Sequence, residues 1–173
     1  MKHLLREFDE PQIYCDMDMV LVDFLGGAAD ALGVDFREAN RETRWSILDN
    51  QPDFFLNLKP MPDYKVLWNF IRKYDPYILT AAPRSSFEKA SKDKKAWCRK
   101  YLNIDESRVY TVQRQDKKHF SKDGRDGRAN ILIDDHPKNV KEWRDNGGIG
   151  VLHTPFNAKN SVKQLINIGF GRK

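Results

Sequence analysis

Short apolar runs alternate with segments of helical periodicity along most of the 173-residue chain. Each run is three to five residues long and apolar on both faces or nearly so, as strands buried in a parallel sheet are. The runs lie at residues 12–15, 77–79, 108–112, 131–133 and 149–152. Because strands that alternate with helices build βαβ units, the pattern predicts an α/β fold with a parallel sheet of about five strands and helices on both faces.

The segments between the runs predict four helices. The second carries a start signal, because Ser85 stands three residues before Glu88, the spacing of a capping box. The third begins near Pro137, a residue suited to a first helical turn. The four candidate helices cover residues 63–74, 85–101, 137–146 and 162–166. The face predicted to be buried in the first consists of Val66, Leu67, Phe70, Ile71 and Tyr74.

Residues 25–60 interrupt this alternation. They contain no convincing strand and carry the aromatic residues Phe36, Trp45, Phe54 and Phe55. We interpret the segment as a small helical insertion after the first strand. The predicted domains are therefore a core of residues 1–24 and 61–173 and an inserted unit of residues 25–60.

Composition narrows the class of protein. A hydrophobic content of 40% with only 10 glycines and 8 prolines excludes disordered and collagen-like chains. No apolar run approaches the length of a membrane span, and the charged residues 1–10 argue against a secretory signal. Two cysteines, Cys15 and Cys98, make no disulfide framework, so a reducing cytoplasm is the expected location.

The net charge of +5 is unevenly distributed. Residues 1–83 carry a net charge of −5, residues 84–128 a net charge of +7, and residues 129–173 a net charge of +3. The basic middle segment invites a nucleic-acid hypothesis. Its simplest interpretation is that the basic residues of the second helix form a solvated face. These residues are Lys92, Lys94, Lys95, Arg99 and Lys100.

Residues capable of chemistry follow four consecutive predicted strands. Ligands of such sheets bind at the carboxyl ends of the strands, so these side chains are expected to converge on one edge. In chain order they are Asp16 and Asp18, Thr80, Lys117 and Lys118, and Asp134 and Asp135. Packed carboxylates repel one another unless a cation neutralises them, and oxygen ligands without a Cys or His cluster favour Mg²⁺.

A metal ion, an ammonium and a hydroxyl together form a cradle for a phosphoryl group. A carboxylate that faces the phosphorus can attack it and form an aspartyl-phosphate, while a second carboxylate moves protons. Each element also has a structural explanation, because an Asp-x-Asp sequence is a common turn and Asp134-Asp135 before a proline can cap a helix. The order of the elements at four strand ends is what favours catalysis.

Two stretches carry a family resemblance. The four strand-end motifs resemble those of the haloacid dehalogenase superfamily of phosphatases, which implies a Rossmann-like fold. More narrowly, residues 16–24 (DMDMVLVDF) and 54–60 (FFLNLKP) are similar to the 5'(3')-deoxyribonucleotidase family, in its bacterial and phage type. The resemblance extends from about residue 12 to residue 153. It implies that the insertion is a helical cap that closes over the substrate.

The resemblance implies a role for each matched acidic residue. Asp16 would be the nucleophile and a metal ligand. Asp18 would be the general acid and base and would bind Mg²⁺ through its backbone carbonyl. Asp134 would bind the metal directly, and Asp135 would bind it through water.

The resemblance also implies residues that hold the substrate. Thr80 would bind the phosphate together with a lysine, for which we favour Lys117 over Lys118 and Lys122 because of its place in the local motif. Phe24 would match the aromatic residue that packs on the nucleobase, and Phe54 or Phe55, of which we favour Phe55, would complete the aromatic slot. Two differences from the family stand out. Met19 occupies a tight turn where members usually have glycine, and Ala81-Ala82 stands where a serine is usual.

The sequence thus predicts a Mg²⁺-dependent phosphatase that acts on nucleoside monophosphates, with deoxyribonucleotides favoured. No membrane partner is expected. A phosphatase of 3'- or 5'-phosphorylated nucleic-acid ends is the alternative, so a nucleic-acid partner is open but not favoured. A phosphoacceptor signalling domain and a non-catalytic binding module are further alternatives. The sequence leaves the oligomeric state open, a homodimer included.

Overall fold

The computed structural model describes residues 11–171. The charged residues 1–10, on which the prediction of no secretory signal rests and with which the predicted core begins, lie outside the described residues. Within residues 11–171, no helix combines the length and the apolar character that crossing a bilayer requires.

Five parallel strands form a single sheet in the order β3-β2-β1-β4-β5. This order places the first strand at the centre of the sheet. Parallel strands that are joined through helices confirm the predicted α/β fold. The strands are β1 (Ile13–Cys15), β2 (Tyr77–Ala81), β3 (Val109–Val112), β4 (Ile131–Asp134) and β5 (Ile149–Leu152). Every predicted run overlaps one strand, and β2 and β4 extend beyond their predicted ends to Ala81 and Asp134.

Alternate residues of a strand point to opposite faces of the sheet, and here the side chains on both faces of the central strand are packed against other residues. Ile13 and Cys15 of β1 belong to a large apolar cluster that also contains Trp97, whereas Tyr14 packs against Trp143 on the other face. Neither face is left to solvent, which explains why the strands are apolar throughout rather than alternating.

Six α-helices accompany the strands. The first two lie in the segment that interrupts the alternation, and the other four correspond to the four predicted helices. They are α1 (Phe24–Leu32), α2 (Arg44–Asp49), α3 (Tyr64–Ile71), α4 (Phe87–Leu102), α5 (Pro137–Asp145) and α6 (Ala158–Ile168). A 3₁₀ helix, Arg114–Phe120, follows β3.

Two local expectations about these helices are wrong. The N-cap of α4 is Ser86, and its side chain makes no capping hydrogen bond. The hydroxyls of Ser85 and Ser86 instead donate to the carboxylate of Asp49 at the end of α2, because a charged acceptor on a neighbouring helix competes with the local one. In α3, Val66 is 40% exposed, and Trp68 takes a place on the buried face.

The segment between residues 25 and 60 packs on the same apolar cluster as the sheet. Leu48, Phe54 and Leu58 belong to that cluster together with Trp97. The Trp97 indole N–H donates a hydrogen bond of 2.9 Å to the carbonyl of Leu58, so α4 and this segment share both apolar and polar contacts. A buried polar link of this kind fixes the position of the segment relative to α4.

We expect Trp97→Phe to lower the free energy of unfolding by about 1–3 kcal/mol more than Trp68→Phe does, because it leaves the buried Leu58 carbonyl without its donor. Trp68 is a matched control, since it is also buried and its indole makes no hydrogen bond within residues 11–171. Urea unfolding of both variants measures the difference. Equal losses would contradict a stabilising role for the Trp97–Leu58 hydrogen bond.

Candidate active site

The first acidic residues lie in a tight turn directly after β1. The carbonyl of Met17 accepts hydrogen bonds from the backbone N–H groups of Val20, Leu21 and Val22, which closes the turn. Met19 has a positive φ of 61°, so a methionine occupies the left-handed conformation that favours glycine. The turn therefore forms despite the side chain at this position, and it leaves Asp16 buried at the end of the central strand.

Lys117 connects the ends of β1 and β4. Its Nζ lies 2.9 Å from Asp16 Oδ1 and 2.8 Å from Asp134 Oδ2, and its side chain is only 3% exposed. The two other lysines that the sequence left open differ in burial, since Lys118 is half-buried and Lys122 is exposed. Within the described chain, Lys117 is the lysine that faces the carboxylates.

Asp134 is fully buried at the end of β4, and its carboxylate is held on several sides. The backbone N–H of His136 donates to Oδ1, and the Asn139 side-chain amide donates to both oxygens. Arg114 in turn donates to Asn139 Oδ1 and to Glu142. No role was predicted for Asn139 from the sequence. The available signal was its place in the first turn of α5, four residues after Asp135.

Three carboxylates form the acidic centre of the site. One oxygen each of Asp16, Asp134 and Asp135 lies within 4.8 Å of the others. Burial raises the pKa of Asp16 to about 8, against the opposing effect of Lys117. Burial and then the charge of Asp134 raise the pKa of Asp135 to about 7. The site therefore concentrates more negative charge than its surroundings neutralise.

This donor set fits a divalent cation. A single ammonium faces the three carboxylates among the described residues, so a negative excess remains. Carboxylate oxygens are the ligands that Mg²⁺ prefers, and the charge of a bound cation relieves the repulsion among them. The carboxylate of Asp18 lies outside this group of three, so the prediction that Asp18 contributes its backbone carbonyl remains a prediction.

Asp18 and Thr80 meet through a residue that the sequence placed elsewhere. Lys94 Nζ donates to Asp18 Oδ2 at 2.8 Å and to Thr80 Oγ1 at 3.0 Å. The expectation that Lys94 belongs to a solvated face is wrong, because the residue is fully buried. It shares the inner face of α4 with Ala90 and Trp97, one turn to either side. That helical spacing was the signal that the lysine-rich composition obscured.

A cleft of about 490 Å³ opens beside these residues. Its lining combines Asp18 with aromatic residues of the segment 25–60 and polar residues that follow β2 and β3. The aromatic residues are Trp45 and Phe55, and the polar residues include Arg84, Gln113 and Arg114. Ala81 and Ala82 also line it, at the position where a serine is usual. Phe55 thus reaches the cleft. Phe24 lies behind it, stacked on Phe55 with ring centroids 6.4 Å apart, and does not contribute to the lining.

Comparison with known proteins identifies relatives of both sequence and fold. The profile of the family described as "5' nucleotidase, deoxy (Pyrimidine), cytosolic type C protein" matches residues 37–164. A protein of Vibrio phage KVP40 described as "Putative 5'(3')-deoxyribonucleotidase" is 30% identical over 135 residues, which cover 78% of this chain and 71% of that protein.

Solved structures share the fold at much lower identity. A hydrolase from Streptococcus pneumoniae TIGR4 matches with a TM-score of 0.52 at 12% identity, covering 90% of this chain and 97% of that one. A phosphonoacetaldehyde hydrolase-like protein from Oleispira antarctica matches with a TM-score of 0.50 at 11% identity, covering 93% of this chain and 86% of that one. At such identities the likeness concerns the fold alone.

We expect Lys117→Met to lower the free energy of unfolding in metal-free buffer by about 3–5 kcal/mol, because it leaves two buried carboxylates without their shared cation. Lys118→Met removes an equal charge from the next position, where no ion pair is formed within residues 11–171, and serves as the control. Urea unfolding measures both. Similar stabilities of the two variants would show that the buried ion pairs do not stabilise the fold.

Proposed function

The chain belongs to the deoxy (pyrimidine), cytosolic type C family of 5'-nucleotidases and is a phosphoric monoester hydrolase of the haloacid dehalogenase type, and from that premise we propose its substrate and mechanism. The substrate is a nucleoside monophosphate, with deoxyribonucleotides favoured. Hydrolysis uses Mg²⁺ and passes through an aspartyl-phosphate on Asp16. The observation that carries the proposal is the group of buried Asp16, Lys117 and Asp134 with half-buried Asp135, beside a cleft with aromatic walls.

The carboxylates of Asp16, Asp134 and Asp135, with the backbone carbonyl of Asp18, would hold the magnesium ion. When bound, the ion neutralises charge on the phosphoryl oxygens and on the carboxylates around it. Side chains of the chain carry out the attack on phosphorus and the proton transfers.

In the first step, an oxygen of Asp16 attacks phosphorus and forms a carboxylate–phosphorus bond while the bond to the leaving oxygen breaks. Asp18 gives a proton to that leaving oxygen, so the nucleoside departs as a neutral alcohol. Lys117 and the Thr80 hydroxyl hold the phosphoryl oxygens. Since Lys117 also pairs with Asp16 and Asp134, one ammonium positions both the nucleophile and the group it attacks.

In the second step, Asp18 takes a proton from a water molecule whose oxygen attacks phosphorus. The bond between phosphorus and the Asp16 oxygen breaks, and inorganic phosphate leaves. Asp18 ends protonated and Asp16 ends as a carboxylate, as both began. The cycle consumes one water and one phosphate monoester and needs no further reactant.

The aromatic side of the cleft supports a nucleoside as the leaving group. Trp45 and Phe55 line it on the side of the segment 25–60, which we propose as the cap over the substrate, and aromatic rings offer stacking surfaces to any base. Phe24 supports Phe55 from behind. The phage relative is described as a deoxyribonucleotidase, which supports the preference for deoxyribonucleotides.

We expect Asp16→Asn to lower kcat/KM for deoxyribonucleoside monophosphates by about 10⁴-fold or more, because it removes the nucleophile. Asp30→Asn, at an exposed position of α1, is the control and should leave the rate unchanged. Phosphate release with added Mg²⁺ measures both. An Asp16→Asn enzyme that hydrolyses nucleotides at the wild-type rate would contradict the proposed mechanism.

Trp45→Ala should raise KM for deoxyribonucleoside monophosphates by about 10-fold through lost stacking, and should change KM for deoxyribose phosphate little. Ile47→Ala, on the exposed side of the same helix, is the control. Equal effects on both substrates would place the base away from Trp45.

Running the assay at rising salt also tests nucleic-acid ends as substrates, since Arg84 and Arg114 line the cleft. A steep fall in activity on oligonucleotides, faster than on mononucleotides, would favour that alternative.

A further inference from the structure

Lys94 is an unusual residue for its position. Its side chain is 1% exposed, although it lies in a lysine-rich helix whose other lysines have access to water. Lysine is almost never fully buried unless it is paired, because the ammonium loses its hydration. The contacts that compensate Lys94 should therefore reveal what the residue does.

Three groups surround the Lys94 ammonium. Two hydrogen bonds, of 2.8 Å and 3.0 Å, go to Asp18 Oδ2 and Thr80 Oγ1. The third contact is the Phe55 ring, whose centroid lies 4.7 Å from Nζ. Lys94 thus connects the proposed acid–base residue, the proposed phosphate-binding hydroxyl and the aromatic wall of the cleft. No other residue among 11–171 contacts all three in this way.

The bond to Thr80 determines which way its hydroxyl proton points. An ammonium has donors and no acceptor, so the Thr80 oxygen must accept in this hydrogen bond. The Thr80 O–H is consequently free to donate to another group. A phosphoryl oxygen is the acceptor that the proposed function supplies.

The bond to Asp18 makes its two carboxylate oxygens unequal. Oδ2 is occupied by Lys94, whereas Oδ1 is buried and has no hydrogen-bond partner within residues 11–171. Oδ1 is therefore the oxygen that Lys94 leaves free to carry the proton that Asp18 transfers. Rotation of the carboxylate would break the ion pair with Lys94, so the pair also fixes the orientation of Asp18.

We propose that Lys94 is a positioning residue, which fixes the orientation of the Asp18 carboxylate for proton transfer and leaves the Thr80 hydroxyl free to donate to the phosphate. The proposal rests on the proposed function, because it assigns Lys94 to the same reaction. In this assignment Lys94 acts through Asp18 and Thr80, and not on the phosphate or the leaving group. The competing explanation is that Lys94 is only a structural counter-ion for Asp18.

The two explanations differ in how the rate depends on the leaving group. Dinitrophenolate departs without a proton, whereas phenolate and a nucleoside alkoxide need one from Asp18. Misorientation of Asp18 should therefore slow phenyl phosphate far more than dinitrophenyl phosphate. A general loss of structure, or a misdirected Thr80, slows both alike.

The experiment measures release of phenol and of dinitrophenol in the first turnover, with Mg²⁺ present, so that the second step does not enter. In Lys94→Met, the ratio of the dinitrophenyl rate to the phenyl rate should rise about 100-fold over wild type, the size of a general-acid contribution. Lys92→Met, at an exposed position of the same helix, should keep the wild-type ratio. An unchanged ratio in Lys94→Met would overturn the proposal.

A double variant tests whether Lys94 acts through Asp18. If it does, adding Lys94→Met to Asp18→Asn should change the leaving-group ratio by less than about twofold, because the acid is already absent. A further rise as large as in the wild-type background would overturn the proposal. Wild-type enzyme that releases neither phenol, or an Asp16→Asn variant that releases both, would instead refute the proposed function and is recognised without any Lys94 variant.

Folding of the variants is checked by circular dichroism and thermal unfolding. Should Lys94→Met not fold, Lys94→Arg and Lys94→Gln decide in its place, because both keep a donor but change its position. Either should raise the leaving-group ratio by less than Lys94→Met is expected to. Failure of all three to fold would assign Lys94 a structural role alone and overturn the proposal.

Discussion

The organisation of this site depends on the charge balance at one edge of a parallel sheet. Strand polarity brings Asp16 and Asp134 to the carboxyl ends of neighbouring strands, where the buried Lys117 ammonium bonds both. Without a cation between them, two buried carboxylates at this distance would repel strongly. The 3₁₀ helix after β3 carries Lys117 and places its ammonium between the two carboxylates. A third carboxylate, Asp135, leaves the balance negative, and that excess fits a divalent ion.

Helix α4 makes a second set of contacts that organise the site. Its inner face holds the segment 25–60 through the Trp97–Leu58 hydrogen bond and, one turn earlier, holds Asp18 through Lys94. Its N-terminal end is connected to α2 by two serine hydroxyls on the Asp49 carboxylate. The aromatic wall and Asp18, the proposed acid–base residue, are thus anchored to the same helix. A shift of the segment relative to α4 would move Phe55 against the Lys94 ammonium.

The sheet and most of the site could be predicted because both follow from chain polarity. Parallel strands end at a common edge, so residues at the carboxyl ends of the strands, such as Thr80 and Asp134, converge whatever lies between them. Lys94 could not be found in this way, since its role depends on which face of α4 is turned inward. Ala90 and Trp97 mark that face, but a lysine between them contradicts the usual burial preference. The same limit applies to the predicted cap of α4, where the serines found an acceptor distant in sequence.

The uneven charge of the sequence has an internal explanation. The segment of residues 84–128 carries the basic excess, and the segment of residues 1–83 the acidic excess. Two of the basic residues, Lys94 and Lys117, are buried against Asp18 and Asp16 of the acidic segment. The basic and acidic segments therefore neutralise one another in part beside the cleft. An excess of lysine in the sequence need not describe the surface, and here two buried lysines pair with carboxylates instead.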